Sequence, residues 1–289
     1  MKRLVLMMTA IFALGGTHLA AKASPADDLI EYQAYFARTF PNVKFDDFSK
    51  GYIVLPKMQE YAAQWDQTNQ WPPHETTVDE GMTLWKTPFT NGKTFASCFK
   101  NGGKSIAQYY PYWDNKSQKV RIAEIDLLDC MKRNDPAMAE KFSNLKNDGI
   151  RVQFAGLVGA FYSLSKGQKV EIDISTPGAL AAYEAGKKYW WSRRGQLNFS
   201  CASCHVQMVG KNLGGNQPLS AGLGHPLGWP AYRGLWERLE ILHYRYQTCD
   251  SQARAKPNDL MSEAYNNLQL YETYMSSGLP LTAPSYRGY

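Results

Sequence analysis

The stretch Cys201-Ala202-Ser203-Cys204-His205 decides how the rest of the chain is read. Two thiols three positions apart can reach the two vinyl groups of one porphyrin and form thioethers. The histidine that follows then gives the iron its proximal nitrogen. A zinc knuckle would need a second pair of ligands close by, and the sequence offers none there. The pattern predicts one haem c per chain, bound covalently through Cys201 and Cys204, with His205 as an axial ligand.

Haem of this type is attached outside the cytoplasm, and the amino terminus carries a matching address. Met1-Lys2-Arg3 is followed by an apolar run, Leu4 to Leu14, broken only by Thr9, and then by Ala21-Lys22-Ala23. This is the layout of a cleavable signal peptide, residues 1–23, with a periplasmic mature chain from Ser24. The run is too short for a bilayer, which takes about 20 apolar residues. No comparable run follows, so the mature chain is expected to have no membrane span.

Of 289 residues, 44% are hydrophobic and 13% aromatic, which excludes a disordered or fibrous chain. The formal charge of +6 falls to about +3 (6 − 3) once Lys2, Arg3 and Lys22 are removed. The remaining cations are interleaved with Asp and Glu, so a nucleic-acid partner has no support.

All five cysteines, Cys98, Cys130, Cys201, Cys204 and Cys249, lie in the mature part. An odd number in an exported protein needs an explanation for the unpaired thiol. An internal repeat sorts them. A shift of 106 aligns Trp85 with Trp191 and Ala96-Ser97-Cys98 with Ala202-Ser203-Cys204, setting Phe95 on Cys201 and Phe99 on His205. A shift of 119 aligns Pro111, Ile122 and Cys130 with Pro230, Ile241 and Cys249, and a shift of 111 sets Tyr162–Gly167 on Thr273–Gly278. A duplicated unit accounts for all three blocks. If Cys249 lies near the haem carried by Cys204, Cys130 lies near Cys98, and this exported pair is expected to form a disulfide.

The expected architecture is mainly α: two tandem cytochrome c-like domains, the first without haem, and an N-terminal extension. The boundaries are 24–172 for the extension with the haem-less domain and 173–289 for the haem-binding domain. Thr176-Pro177 opens a helix that runs to Trp191, and another is expected from Ser262 to Ser277, ended by Gly278 and Pro280. Leu235, Leu239, Leu242, Tyr246 and Cys249 read as one apolar helical face, with Arg245 one turn before Cys249. Lys169–Ile174 is the chief strand signal. Candidates for the sixth iron ligand are Met208, His225, His243, Met261, Met275 and Cys249. Cys249 leads because it is unpaired and faces inward, with Met261 as the second candidate.

Several blocks together resemble the SoxA family of cytochrome subunits. They are Gly195-Gln196-Leu197, the haem motif, Gly228-Trp229-Pro230-Ala231-Tyr232-Arg233, Arg245 with Cys249, and Tyr274-Met275-Ser276-Ser277-Gly278-Leu279-Pro280-Leu281. The resemblance implies an L-cysteine S-thiosulfotransferase that joins thiosulfate to a cysteine of the SoxYZ carrier, working as a heterodimer with the haem-bearing SoxX subunit. It implies that Cys249 is the distal ligand and the catalytic residue, modified as a persulfide, and that Arg245 binds the substrate. Phe95 and Phe99 place the chain with members holding one haem and a disulfide. Two rivals share the haem motif: a thiosulfate dehydrogenase that forms tetrathionate, and a plain electron-transfer cytochrome.

Overall fold

A computed structural model describes residues 24–214 and 217–288. The signal-peptide reading falls on residues 1–23, outside the described residues. Ser24 starts the first helix, α1 (Pro25–Thr39), through a reciprocal cap. Its hydroxyl accepts from the Asp27 amide at 3.2 Å, and the Asp27 carboxylate accepts from the Ser24 amide at 3.0 Å. A 3-10 stretch over Phe45–Val54 and α2 (Ala62–Gln70) complete the extension.

Two sets of elements then share the order helix, hairpin, helix and closing helix. The first holds α3 (Glu75–Lys86), a hairpin of β1 (Tyr112–Asp114) and β2 (Lys119–Arg121), α4 (Ala123–Asn134), α5 (Pro136–Ser143) and α6 (Asp148–Ser163). The second begins with α7 (Pro177–Trp191), where the Thr176 hydroxyl accepts from the Ala179 amide behind Pro177. There follow a two-residue ladder of β3 (Asn212–Leu213) with β4 (Gln217–Pro218), a hairpin of β5 (Ala231–Arg233) with β6 (Arg238–Glu240), α8 (Leu242–Gln252), α9 (Glu263–Met275) and β7 (Ser285–Arg287). The first hairpin and its following helix begin at positions 112, 119 and 123, and the second at 231, 238 and 242, so the shift of 119 holds throughout.

In each set the first and last helices pack together, α3 on α6 and α7 on α9. The crossings use glycine. A methyl group on Gly81 would lie 2.1 Å from the Gly156 carbonyl oxygen, and one on Gly186 would lie 2.0 Å from that of Asn267. These crossings set the local register at 105 (186 − 81). The sequence alignment of Trp85 with Trp191 is thereby corrected by one residue. Trp85 and Trp190 are the buried pair, at 5% and 1% exposure, whereas Trp191 is 43% exposed.

The sets are interlocked: β2 packs on α7 and α9, and β6 packs on α6. At this second contact the buried Arg151 of α6 makes a two-pronged ion pair with the buried Glu240 of β6, both bonds 2.8 Å. The extension lies mainly against the second set. α1 packs on α9, Tyr35 donates to the Val206 carbonyl, and Gln33 to that of Ser277.

Two further expectations are corrected. Lys169–Ile174 is extended but is no strand, making only a single bridge from Lys169 to Pro280. Its amides and carbonyls bond to the separate segments at Gln108 and Leu279. The apolar face from Leu235 to Cys249 is not one helix either. Leu235 sits 68% exposed in the β5–β6 turn, Glu237 with φ of 52° divides it from Leu239 on β6, and α8 begins only at Leu242.

Candidate functional site

The haem motif follows α7 and coils into a π-helical turn over Ser203–Gln207. Ser200 and Ser203 lock its start, each accepting the other's backbone N–H at 3.1 Å. The turn aims Cys201, Cys204 and His205 into a cavity, which α8 closes with Arg245 and Cys249. Arg245 and Cys249 lie four residues apart, so the helix presents both on one side. Trp190, Tyr246 and Glu272 also line the cavity.

The His205 imidazole is fixed by its own hydrogen bond. Nδ1 donates to the Ser220 carbonyl at 3.0 Å, which places the proton there and leaves Nε2 with the basic lone pair. Burial pulls this histidine down to about 3, with His225 and Arg245 adding to the effect, so the ring is neutral, as a metal ligand must be. Burial also raises all three cavity thiols, Cys201 to about 12. The Cys249 thiol is pulled the other way by Arg245 and Arg233. Arg194 Nη1 lies 3.5 Å from Cys201 Sγ and 3.3 Å from Asp250, and its guanidinium stacks 3.8 Å from the Tyr189 ring centroid.

Six ligand candidates from the sequence separate clearly. Only Cys249 and His225 line the cavity. His225 has its ring 4.6 Å from that of His205, too close for a macrocycle to lie between them. His243 is fully buried and accepts from the Met261 amide at 3.0 Å, and neither residue lines the cavity. Met275 is core, touching the Tyr183 hydroxyl at 3.8 Å. Met208 is likewise not among the lining residues. Cys201, Cys204 and Cys249 are free, whereas Cys98 and Cys130 are bonded to each other with Cα atoms 5.9 Å apart.

Sequence reading missed Glu272. This carboxyl on α9 is buried, accepts from the Tyr246 hydroxyl, and lies 3.2 Å from His225 Nδ1. Burial raises it to about 7, with the Tyr246 hydrogen bond opposing. Only the i, i+7 placement relative to Tyr265 hinted that a glutamate inside an apolar helix face points inward. In the first set Asp126 stands where Arg245 stands in the second. It is held by the hydroxyls of Tyr110 and Tyr112 and by Arg121 at 2.8 Å.

Two thiols placed to bond a porphyrin's vinyl groups, a neutral imidazole and a third sulfur line one cavity, a set suited to a covalently held haem. Known proteins agree with this class. The cytochrome c domain model of SoxA/TsdA matches residues 80–170, which take in most of the first set of elements. The chain is 38% identical over 266 residues to the L-cysteine S-thiosulfotransferase subunit SoxA of Allochromatium vinosum, covering 92% of this chain and 91% of that one. It is 36% identical over 260 residues to the same subunit of Chlorobaculum tepidum, covering 90% and 87%. The crystal structure of SoxXA from P. pantotrophus matches with a TM-score of 0.65 at 26% identity, covering 75% of this chain and 79% of that one. The chain is a cytochrome c-type protein, mainly helical. It belongs to the SoxA family. Among the described residues no helix is long and apolar enough to cross a membrane.

Proposed function

We propose that this chain, as the SoxA-type subunit of an L-cysteine S-thiosulfotransferase, joins thiosulfate to a cysteine of a SoxYZ carrier, with Cys249 as the reacting sulfur and Arg245 as the substrate's anchor. One observation carries the assignment: Cys249, Arg245 and His205 line a single cavity with both motif cysteines. The conversion is thiosulfate plus carrier thiol giving the cysteine S-thiosulfonate, one proton and two electrons.

The residues divide the work. Arg245 offers a charged, planar fork to the sulfonate end of the dianion. The anionic Cys249 sulfur, thiolate or persulfide, bonds to the outer sulfur of thiosulfate with loss of two electrons. The carrier thiol then gives up its proton, takes the intact thiosulfate group and releases the Cys249 anion, which Arg245 and Arg233 favour against burial. Cys201 and Cys204 would hold one haem c covalently, with His205 and Cys249 as the residues that would ligate its iron. That haem supplies a one-electron acceptor beside the reacting sulfur. The second electron requires another acceptor, which a SoxX-type partner provides; the SoxXA structural match supports such a heterodimer.

The first set of elements is a cytochrome c domain that has lost its haem. In the space corresponding to the haem site, Trp85 stacks on Phe95 at 5.7 Å and Phe99 lies 5.1 Å from Phe161. Domain limits of 24–172 and 173–289 follow, the first including the extension. The mature protein works in the periplasm after cleavage of residues 1–23.

Mass spectrometry of protein from export-competent cells tests the assembly: one haem adduct, one disulfide, and an added sulfur on Cys249. Turnover is then followed with thiosulfate, SoxYZ and the SoxX partner. Mass gain on the carrier supports the reading, and tetrathionate formed without carrier would replace it with a thiosulfate dehydrogenase.

A further inference from the structure

On the His205 side of the main cavity lies a smaller one, whose lining includes His205, His225, Arg233, Arg245 and Arg287. No Asp or Glu lines it. Arg233 and Arg287 are only 4% and 7% exposed, and among the described residues neither has an ion-pair partner. The Arg233 Nε is buried without any hydrogen-bond partner. Arg287 has a single long bond, Nη2 to the Ser49 carbonyl at 3.4 Å.

This arrangement is built by the fold. β5 and β7 pair in parallel with Arg233 directly opposite Arg287, a placement that is destabilising for like charges unless something negative lies between them. Two glycines make the slot for Arg287. A methyl group on Gly51 would lie 1.4 Å from its Nη1, and one on Gly228 would lie 2.2 Å from its Nη2. Arg233 is braced 4.7 Å from the Trp236 ring centroid. Burying an unpaired guanidinium costs several kcal/mol by order of magnitude, so two side by side mark a site made for negative charge.

Haem carries two carboxylates on one edge. We propose that Arg233 and Arg287 receive the haem's two propionate carboxylates, seating that edge against β5 and β7 beside His205. Arg245 lines both cavities and stays with the substrate near Cys249. This inference rests on the haem reading above. It adds a consequence for the iron: buried cations at the propionates partly offset the electron donation of a thiolate ligand and raise the reduction potential.

The test uses the haem-loaded protein with its partner subunit, comparing wild type with Arg233→Gln, Arg287→Gln and the milder Arg233→Lys and Arg287→Lys. Three quantities are read: the reduction potential of the SoxA haem, the resonance Raman bending band of the propionates, and KM for thiosulfate. Each Gln variant is expected to lower the potential and move the propionate band, and Arg287→Gln is expected to leave KM close to wild type. The Lys variants, which keep the charge, are expected to retain most of the potential and still move the band. If potential and band stay put while KM rises about tenfold or more, the size expected for losing a charged contact, these arginines serve the thiosulfate anion and the proposal is wrong. No change in any quantity overturns it equally. A colourless wild type would sink the haem reading itself; a coloured wild type with unmoved variants sinks this inference alone.

Discussion

Gly186 of α7 approaches α9 so closely that a methyl group there would lie 2.0 Å from the carbonyl oxygen of Asn267. The obstacle is backbone, which cannot rotate away as a side chain would. This contact holds α7, and the haem motif that follows it, against the helix bearing Glu272. Gly186→Ala should therefore destabilise the protein by about 1–3 kcal/mol through overpacking, despite alanine's better helix propensity. Gly149→Ala is the control, because its nearest neighbour would be a side-chain oxygen at 3.4 Å. Denaturant midpoints for the two variants make the comparison.

Arg151 and Glu240 join the two sets, and removing Glu240 leaves the buried guanidinium with only the exposed Asp148 and the Leu145 carbonyl as partners. Glu240→Ala is expected to cost about 3–5 kcal/mol. Asp148 also bonds Arg151 but is 60% exposed, so Asp148→Asn should cost no more than about 1 kcal/mol. Equal losses in chemical denaturation would contradict the buried pair's structural role.

The Cys98–Cys130 bond spans 32 residues. Its loss in a Cys98→Ser, Cys130→Ser double variant should lower stability by about 3–4 kcal/mol on the chain-entropy account. The absorbance spectrum of the haem should not move, since neither residue lines the main cavity. A spectral change would mean that the first set reaches the iron.

Much of the site is legible along the chain because its chemistry is local. The haem motif is five consecutive residues, and Arg245 with Cys249 needs only one helical turn. Repeat spacing likewise brought Cys98 and Cys130 to the foreground. What stayed hidden depends on distant segments meeting. Arg287 reaches Arg233 only through the β5–β7 register, and both sit on three-residue strands too short to show a period of two. The Leu235 stripe misled for a related reason: a strand residue and a turn residue fell at helical spacing by chance. Trp190 and Trp191 are adjacent, and only the glycine crossing shows which one is buried.

Arg245 gives a prediction about binding. Arg245→Ala should leave the low-spin spectrum largely intact but remove a charged contact of about 1.5–3 kcal/mol, lowering kcat/KM roughly 10- to 150-fold. Arg245→Lys should recover part of the loss, since an ammonium keeps the charge without the fork. Steady-state assays of thiosulfate conjugation to SoxYZ decide it, and unimpaired kinetics in the Ala variant would assign the anion to other residues.

The central claim is that one sulfur, Cys249, both ligates the iron opposite His205 and reacts with thiosulfate. Its most direct test is a single preparation of Cys249→Ala, haem-loaded and paired with its partner, measured by electron paramagnetic resonance and by thiosulfate conjugation. The account predicts that the thiolate-ligated low-spin signal and turnover disappear together while the covalent haem remains. Wild-type turnover, or an unchanged signal, would contradict it.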